Sequence, residues 1–457
     1  MSVTQTLVDF VIDLKYDHLP SEVIETAKLC LLDSLGCGLG GYRTELGRVI
    51  VEQVKETGGV RQASLLGDGT KIPCTQAAFA NSAMINALDY DETFENIGHP
   101  GSTLIPAALA VGEHLKISGR KLIEAMVAAY EASIRIGRAI QPSPKRFKEV
   151  WFVGTWHTFG AVAAAGKLLG LDDRQMADAF GIAGAISPLP SANGWGPRPQ
   201  TWVKEPTEWP AHAGVLAAQL AKRGFKGNRA ILDGENGFWR MAGSDRCDFP
   251  SMTDGLGRVY LFLDISFKPY PTCRWIHTTL DATKDLVESN RLTPDHIAQV
   301  VVTSSSLHTM NEQLIDYEPA TLIDAEFSTP YTVAMILMGI EPGHKWYDER
   351  TLRDSKVLSL AKRVRVQADD KADRIFFKEH KVVSTVEILT DTGEKLTARK
   401  EYAKGDPQKP MTRDELLKKF YTLGAQTLSV TKVKKLISSI ETLETANDIS
   451  HMTRHFY

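Results

Sequence analysis

With 457 residues, 43% hydrophobic and 24% charged, the chain is long enough for two or three domains, and its composition excludes disorder and fibrous folds. A formal net charge of −3 with no long block of one sign excludes the basic stripe of a nucleic-acid or anionic-membrane binder. The 5 cysteines (Cys30, Cys37, Cys74, Cys247 and Cys273) form no CxxC pair, which speaks against a disulfide framework or structural zinc and for a reducing cytoplasm.

Residues 1–15 carry Asp9 and Asp13 and no basic stretch, so no signal peptide is expected, and no apolar run reaches the ~20 residues that span a bilayer. From Ser21, Ile24, Ala27, Leu31 and Leu35 recur at helical spacing, with Pro20 and Ser21 as the start signal and the glycines of 36–41 as the stop. Helical patterns follow at about 75–88, 102–116, 121–140, 158–169, 174–185 and 211–223. Several are rich in Ala and Gly, which allows close packing and predicts deep burial. Near Ser266 the character changes: 296–304, 364–366 and 385–388 alternate and are rich in Val, and 390–394 reads as a hairpin turn. Helical stretches at 330–338 and 354–361 lie among these strands. After Gly405-Asp406-Pro407 helices resume, opened by Thr412 and Glu415 at capping-box spacing and continued over 431–443. The expected fold is mainly α: a large helical domain built from both chain ends, 1–265 and 406–457, with an inserted α+β domain over 266–405.

Three segments could carry chemistry. In the first, Asp89, Asp91 and Glu92 follow an apolar helix, and His99 precedes the next one. Asp and His brought together can act as a base and its partner, and a helix N-terminus attracts a carboxylate. The same acids could instead be solvated residues closing a helix. The second segment sets Arg198 and Lys204 among Trp195, Trp202 and Trp209, where cations could receive a substrate carboxylate or simply lie along the surface. The third, 267–277, holds Lys268, Cys273, Arg274 and His277 with two prolines at the expected domain boundary, where substrates often bind. Cys273 could be a nucleophile but is more simply inert, and His277 could be a satisfied core histidine. His157 opens a long apolar helix, as a cap, a core residue or a participant in catalysis. No phosphate loop, dinucleotide fingerprint, HExxH or GxSxG pattern is present, and the histidines do not pair as metal ligands, so no cofactor or metal is implied.

The ordered set Leu31-Leu32-Asp33-Ser34-Leu35-Gly36, 87–102, Gly166-Lys167-Leu168-Leu169-Gly170-Leu171, Val203-Lys204-Glu205, 223–227, 268–277 and 325–331 resembles the MmgE/PrpD family over nearly the whole chain. The resemblance implies a cofactor-free enzyme with a helical domain and an α+β lid, usually a homodimer, with its site between the two. It matches Asp89, Thr93, His99, Lys204, Lys268 and Tyr331 to the family's site. Two positions depart from it: Trp151, sixteen residues before Lys167, stands where family decarboxylases and dehydratases commonly carry histidine, and Cys273, five after Lys268, where decarboxylases of the animal type carry a second one. The implied substrate is a small di- or tricarboxylic acid, attacked by proton chemistry beside a carboxylate. Lys204, Lys268 and Arg274 would hold its carboxylates, with His157 and Cys273 lining the same pocket and His157 standing in for Trp151. His99, oriented by Asp89 or Thr93, would be the base or acid, and Tyr331 would serve the leaving hydroxyl. A hydro-lyase of the 2-methylcitrate dehydratase kind is ranked first, as the family's commonest activity. An epimerase of an imino or hydroxy diacid and a cis-aconitate-type decarboxylase are the alternatives, ahead of a non-catalytic carboxylate-binding protein.

Overall fold

Apolar residues recurring every three to four positions make most of this chain helical. The computed structural model describes residues 2–95, 97–150, 154–188, 199, 202, 207–310 and 312–457, so Trp151, Arg198 and Lys204 lie outside the described residues. Its first half comprises α1 (Val3–Asp13), α2 (Ser21–Gly41), α3 (Glu45–Thr57), α4 (Cys74–Asn86), α5 (Pro100–Leu115), α6 (Gly119–Ala139), α7 (His157–Leu169), α8 (Asp173–Ile186) and α9 (Glu208–Lys222). The Ala- and Gly-rich α7 is central, packed against α5, α6, α8 and α9, and His157 through Gly166 are all buried. Small residues are required there: a Cβ on Gly160 would lie 2.7 Å from the Ala129 carbonyl oxygen.

The glycines at 36–41 do not stop α2, contrary to the expectation from the sequence; the helix runs on to Gly41. They serve close approach instead. A Cβ on Gly41 would fall 1.8 Å from the Met84 carbonyl oxygen, and one on Gly36 2.9 Å from the Phe420 ring. Helix propensity lost at glycine, about 1 kcal/mol each, is outweighed by the packing of α4 and a C-terminal helix against this face.

The alternating segments form one four-stranded sheet of β1 (Ile297–Ser304), β2 (Val364–Ala368), β3 (Ser384–Thr390) and β4 (Lys395–Lys400), in the order β2-β1-β3-β4. β1 pairs parallel with β2 and antiparallel with β3, placing Val300 beside Val364 and Ile388, and Val302 beside Val366 and Val386. The β3–β4 hairpin turns at Gly393, whose φ of 87° suits glycine. Helix α10 (His277–Asn290) lies against β3 and β4.

The chain's way into and out of the sheet-bearing segment is closely tied. Thr93 and Ser266 exchange backbone hydrogen bonds of 2.9 and 2.8 Å, and Phe267 N–H donates to Gly405 O at 3.1 Å. Just before this point, buried Arg135 on α6 bonds Glu131 and the carbonyls of Asp254 and Val259, clamping the approach segment. Beyond Gly405, α13 (Arg413–Gly424) and α14 (Val430–Glu441) pack on α2. Thr412 and Glu415 do form the capping box. Lys419 on α13 reaches Asp33 Oδ1 at 2.6 Å and Tyr90 O at 2.5 Å, with both charged side chains buried. Among the described residues no helix is long and apolar enough to cross a membrane.

Removing one partner of a buried ion pair leaves the other uncompensated. Asp33→Ala is therefore expected to destabilise the protein by about 3–5 kcal/mol. Urea unfolding monitored by circular dichroism checks this; a loss under about 1 kcal/mol would show that the pair does not hold α13 on α2.

Candidate active site

Helix α4 ends at Asn86, and the chain makes a tight, wholly buried passage through Asp89, Tyr90, Asp91, Glu92 and Thr93. Asp89 takes a left-handed φ of 46°, a conformation that Asp tolerates at a cost of about 1 kcal/mol. The Lys268 ammonium offsets that cost, donating to the Asp89 carbonyl at 2.8 Å and pairing with its carboxylate at 3.2 Å. These acids are buried rather than solvated, so the reading of them as exposed helix-end residues is excluded.

His99 stands at the N-cap of α5 with its ring between two carboxylates. Nδ1 is 3.0 Å from Asp91 Oδ2, and Nε2 is 3.3 Å from Asp89 Oδ1. Asn86 donates to the other Asp91 oxygen at 3.1 Å. Burial opposes charge on Asp91, but His99 and then Lys268 outweigh it, and the carboxyl is held below its ordinary value. A carboxylate oxygen close to each ring nitrogen favours the imidazolium by charge attraction.

The end of α5 already carries a carboxyl from the protein itself. A Cβ on Gly101 would fall 2.1 Å from Glu92 Oε1, so only glycine admits Glu92 there. Glu92 accepts from the Tyr130 hydroxyl at 2.6 Å. Burial, then the charge on Asp91, pushes its pKa up to about 8. Glu92 is thus uncharged at neutral pH.

Two further histidines are neutral. His157, at the start of α7, places Nδ1 2.6 Å from Ser133 Oγ on α6; burial, then the charge on His99, brings its pKa down to about 3. His277 is held well below its ordinary value by burial, then Arg274 and Lys268. Its Nε2 lies 3.0 Å from the Thr272 carbonyl, and Arg274 donates to Nδ1 at 2.9 Å. It is a satisfied core histidine.

The structure thus brings together Asp89, His99 and Lys268, with Thr93 two residues beyond Asp91, while His157 is buried against Ser133. Arg274 is engaged by Asp406 at 2.5 Å and by His277. Cys273 is buried, its N–H donating to Glu326 O at 3.0 Å. The Tyr331 hydroxyl donates to the Trp346 carbonyl at 2.5 Å, and burial raises its pKa above the ordinary value. Lys204 lies outside the described residues. Sequence reasoning missed Asp91 as the second ring partner of His99, and Glu92, Tyr130 and Ser133 as supporting groups. The available signal was three acids in four residues between apolar neighbours, a pattern that burial would demand be neutralised. Tyr347, whose hydroxyl donates to Pro271 O, closes the Lys268 side and lines a cavity of about 860 Å³ with Ala87, Ile323 and Trp202. No three His, Cys, Asp or Glu among the described residues are grouped as metal ligands would be.

Two family models together match most of the chain. The family model of the MmgE/PrpD N-terminal domain matches residues 5–248, and that of the MmgE/PrpD C-terminal domain matches residues 270–445. The chain is 28% identical to the cis-aconitate decarboxylase of Mus musculus, over 99% of this chain and 93% of that protein. It is also 28% identical to the cis-aconitate decarboxylase of Aspergillus terreus, over 98% of this chain and 94% of that protein. To the mitochondrial 2-methylcitrate dehydratase of Yarrowia lipolytica it is 30% identical, over 50% of this chain and 46% of that protein.

The raised pKa of Glu92 makes a signed prediction. Between its ordinary value of 4.5 and about 8, the folded protein keeps a proton that the unfolded chain has lost. Stability therefore falls as pH rises through that window. Glu92→Gln lacks this proton, so its stability relative to the parent should rise from pH ~4.5 to ~8, by an amount on the order of a few kcal/mol. Chemical unfolding of both proteins across that range is the check; a pH-independent difference would mean that Glu92 ionises normally.

Proposed function

This chain belongs to the MmgE/PrpD family, and on that footing we propose that it is a lyase acting on a small polycarboxylic acid, with decarboxylation of a cis-aconitate-type tricarboxylate as the leading reaction. This replaces hydro-lyase as the first reading, because the cis-aconitate decarboxylases are matched along nearly their whole length and the 2-methylcitrate dehydratase over half of this chain.

One observation carries the chemistry. His99 has carboxylate oxygens beside both ring nitrogens, which favours the imidazolium and suits it to the role of proton donor. Decarboxylation needs such a donor. The C–C bond to the departing carboxylate breaks, CO₂ leaves, and the electron pair left on the allylic carbons takes a proton from the imidazolium. The longer contact, Nε2 to Asp89, is the one that yields to substrate. Lys268, bonded to the Asp89 carbonyl and paired with its carboxylate, supplies positive potential at the scissile group. The same donor would protonate a departing hydroxyl, so dehydration of a 2-methylcitrate-type substrate is the second reading. In either case Asp89, Asp91, His99 and Lys268 sum to zero charge. A polyanionic substrate then calls for a further cation, and Lys204 is the residue we assign to that task.

Incubation with cis-aconitate in deuterated water, followed by NMR, tests both readings. The leading one expects CO₂ release and one deuterium on carbon in the five-carbon product. Water loss from 2-methylcitrate without CO₂ would favour the second, and neither reaction with either acid would overturn the proposal. His99→Gln should lower kcat by roughly 10²–10⁴-fold. Lys204→Ala should raise KM about tenfold or more with a smaller effect on kcat.

A further inference from the structure

Among the described residues, Nε2 of His157 is a buried ring nitrogen with no hydrogen-bond partner. The residue is 0% exposed, so water does not satisfy it from bulk. Leaving a buried polar atom unpaired costs about 1–3 kcal/mol, which an apolar side chain at the head of α7 would avoid. The other ring nitrogen is not idle. Ser133 Oγ stands 2.6 Å from Nδ1, and a serine hydroxyl donating there leaves the ring proton on Nε2. The ring is held edge-on to Trp156, at a centroid distance of 6.0 Å, and the adjacent Gly154 leaves room beside its Cδ2. Ser133 lies one turn along α6 from Tyr130, whose hydroxyl bonds Glu92 against Gly101, and this sets His157 near the start of α5, which His99 caps.

We propose that His157 is a substrate-binding residue, a neutral donor whose Nε2–H meets a carboxylate oxygen of the substrate beside His99, with Ser133 fixing the tautomer. A second imidazolium next to His99 would be repelled by it, whereas an uncharged N–H binds a carboxylate without adding charge to the cluster. Burial, then His99, keeps His157 neutral across the physiological range, since its pKa lies near 3.

The inference rests on the polycarboxylate reading above, and the test separates the two. Tricarballylate, a saturated tricarboxylate with neither hydroxyl nor double bond, is the probe, titrated calorimetrically into the full chain. The parent is expected to bind it. His157→Leu should weaken binding about 10- to 100-fold. His157→Gln, whose amide N–H reaches the place of Nε2, should recover most of that loss. Ser133→Ala should weaken binding about threefold or more, and ¹⁵N NMR of the parent should show a neutral His157 protonated on Nε2. Binding by His157→Leu within about twofold of the parent, equal weakness of the Leu and Gln variants, or a proton on Nδ1 would each overturn the role of His157 while leaving the polycarboxylate reading standing. Failure of the parent to bind would sink both.

Discussion

Two carboxylates and two cations buried together are the constraint on which this site depends. Asp89 and Asp91 are sealed from solvent, and an isolated buried carboxylate would cost many kcal/mol or take up a proton. At about 3 Å, even with an effective dielectric near 20, each opposite charge contributes about 5 kcal/mol. His99 meets both acids and Lys268 meets Asp89 from the other side, so no member can be removed without stranding a charge. His99 comes from the start of α5 and Lys268 from the segment that follows Ser266. Electrostatic balance thus does structural work, locking the helical part to the sheet-bearing part at the Thr93–Ser266 bridge. It also holds Asp89 in its left-handed conformation, where strain and function coincide.

A balanced cluster has a consequence for ligands. Bringing a trianion against a neutral, low-dielectric site gains little unless further positive charge arrives with it. The resemblance to the MmgE/PrpD family matches Lys204 to the site, and a neutral cluster gives such a cation a task in the proposed reaction. Glu92 fits the same logic. Its carboxyl shares the passage with Asp91 but stays protonated at neutral pH, bonded by Tyr130, so it adds no third negative charge.

Much of the fold was legible. Helical periodicity marked the main helices of the first half, alternation marked all but the last sheet strand, and the turn at 390–394 sits in the hairpin. The short α1 and the amphipathic α3 were passed over because their start signals, Ser2 and Thr44, are weak without a long apolar run behind them. The glycines of 36–41 misled because glycine has two uses, stopping a helix or letting another backbone approach it. Only the positions of Met84 and Phe420, distant in sequence, decide between them. At the site, the run of acids before His99 announced a pairing. Which acid meets which nitrogen is set by the path of residues 89–93, and that path has no sequence signal. Tyr331 illustrates the limit: matched by resemblance, its hydroxyl is committed to the Trp346 carbonyl in this state.

Three histidines in one neighbourhood carry three different states, and surroundings alone assign them. His99 faces carboxylates on both sides and is the cation. His277 faces a carbonyl and an arginine, which fixes its proton on Nε2 and its lone pair on Nδ1, and it is spent in structure. His157 faces a serine on one side and no partner on the other. Groups of the same chemical type whose environments drive their protonation apart mark where proton-transfer roles are divided. The division here is legible in the contacts: a cation where acids converge, support where the backbone saturates the ring, and a neutral ring held by a serine. In the proposed arrangement the unpaired Nε2 of His157 and the imidazolium of His99 would act on one substrate, the first orienting a carboxylate and the second giving up a proton.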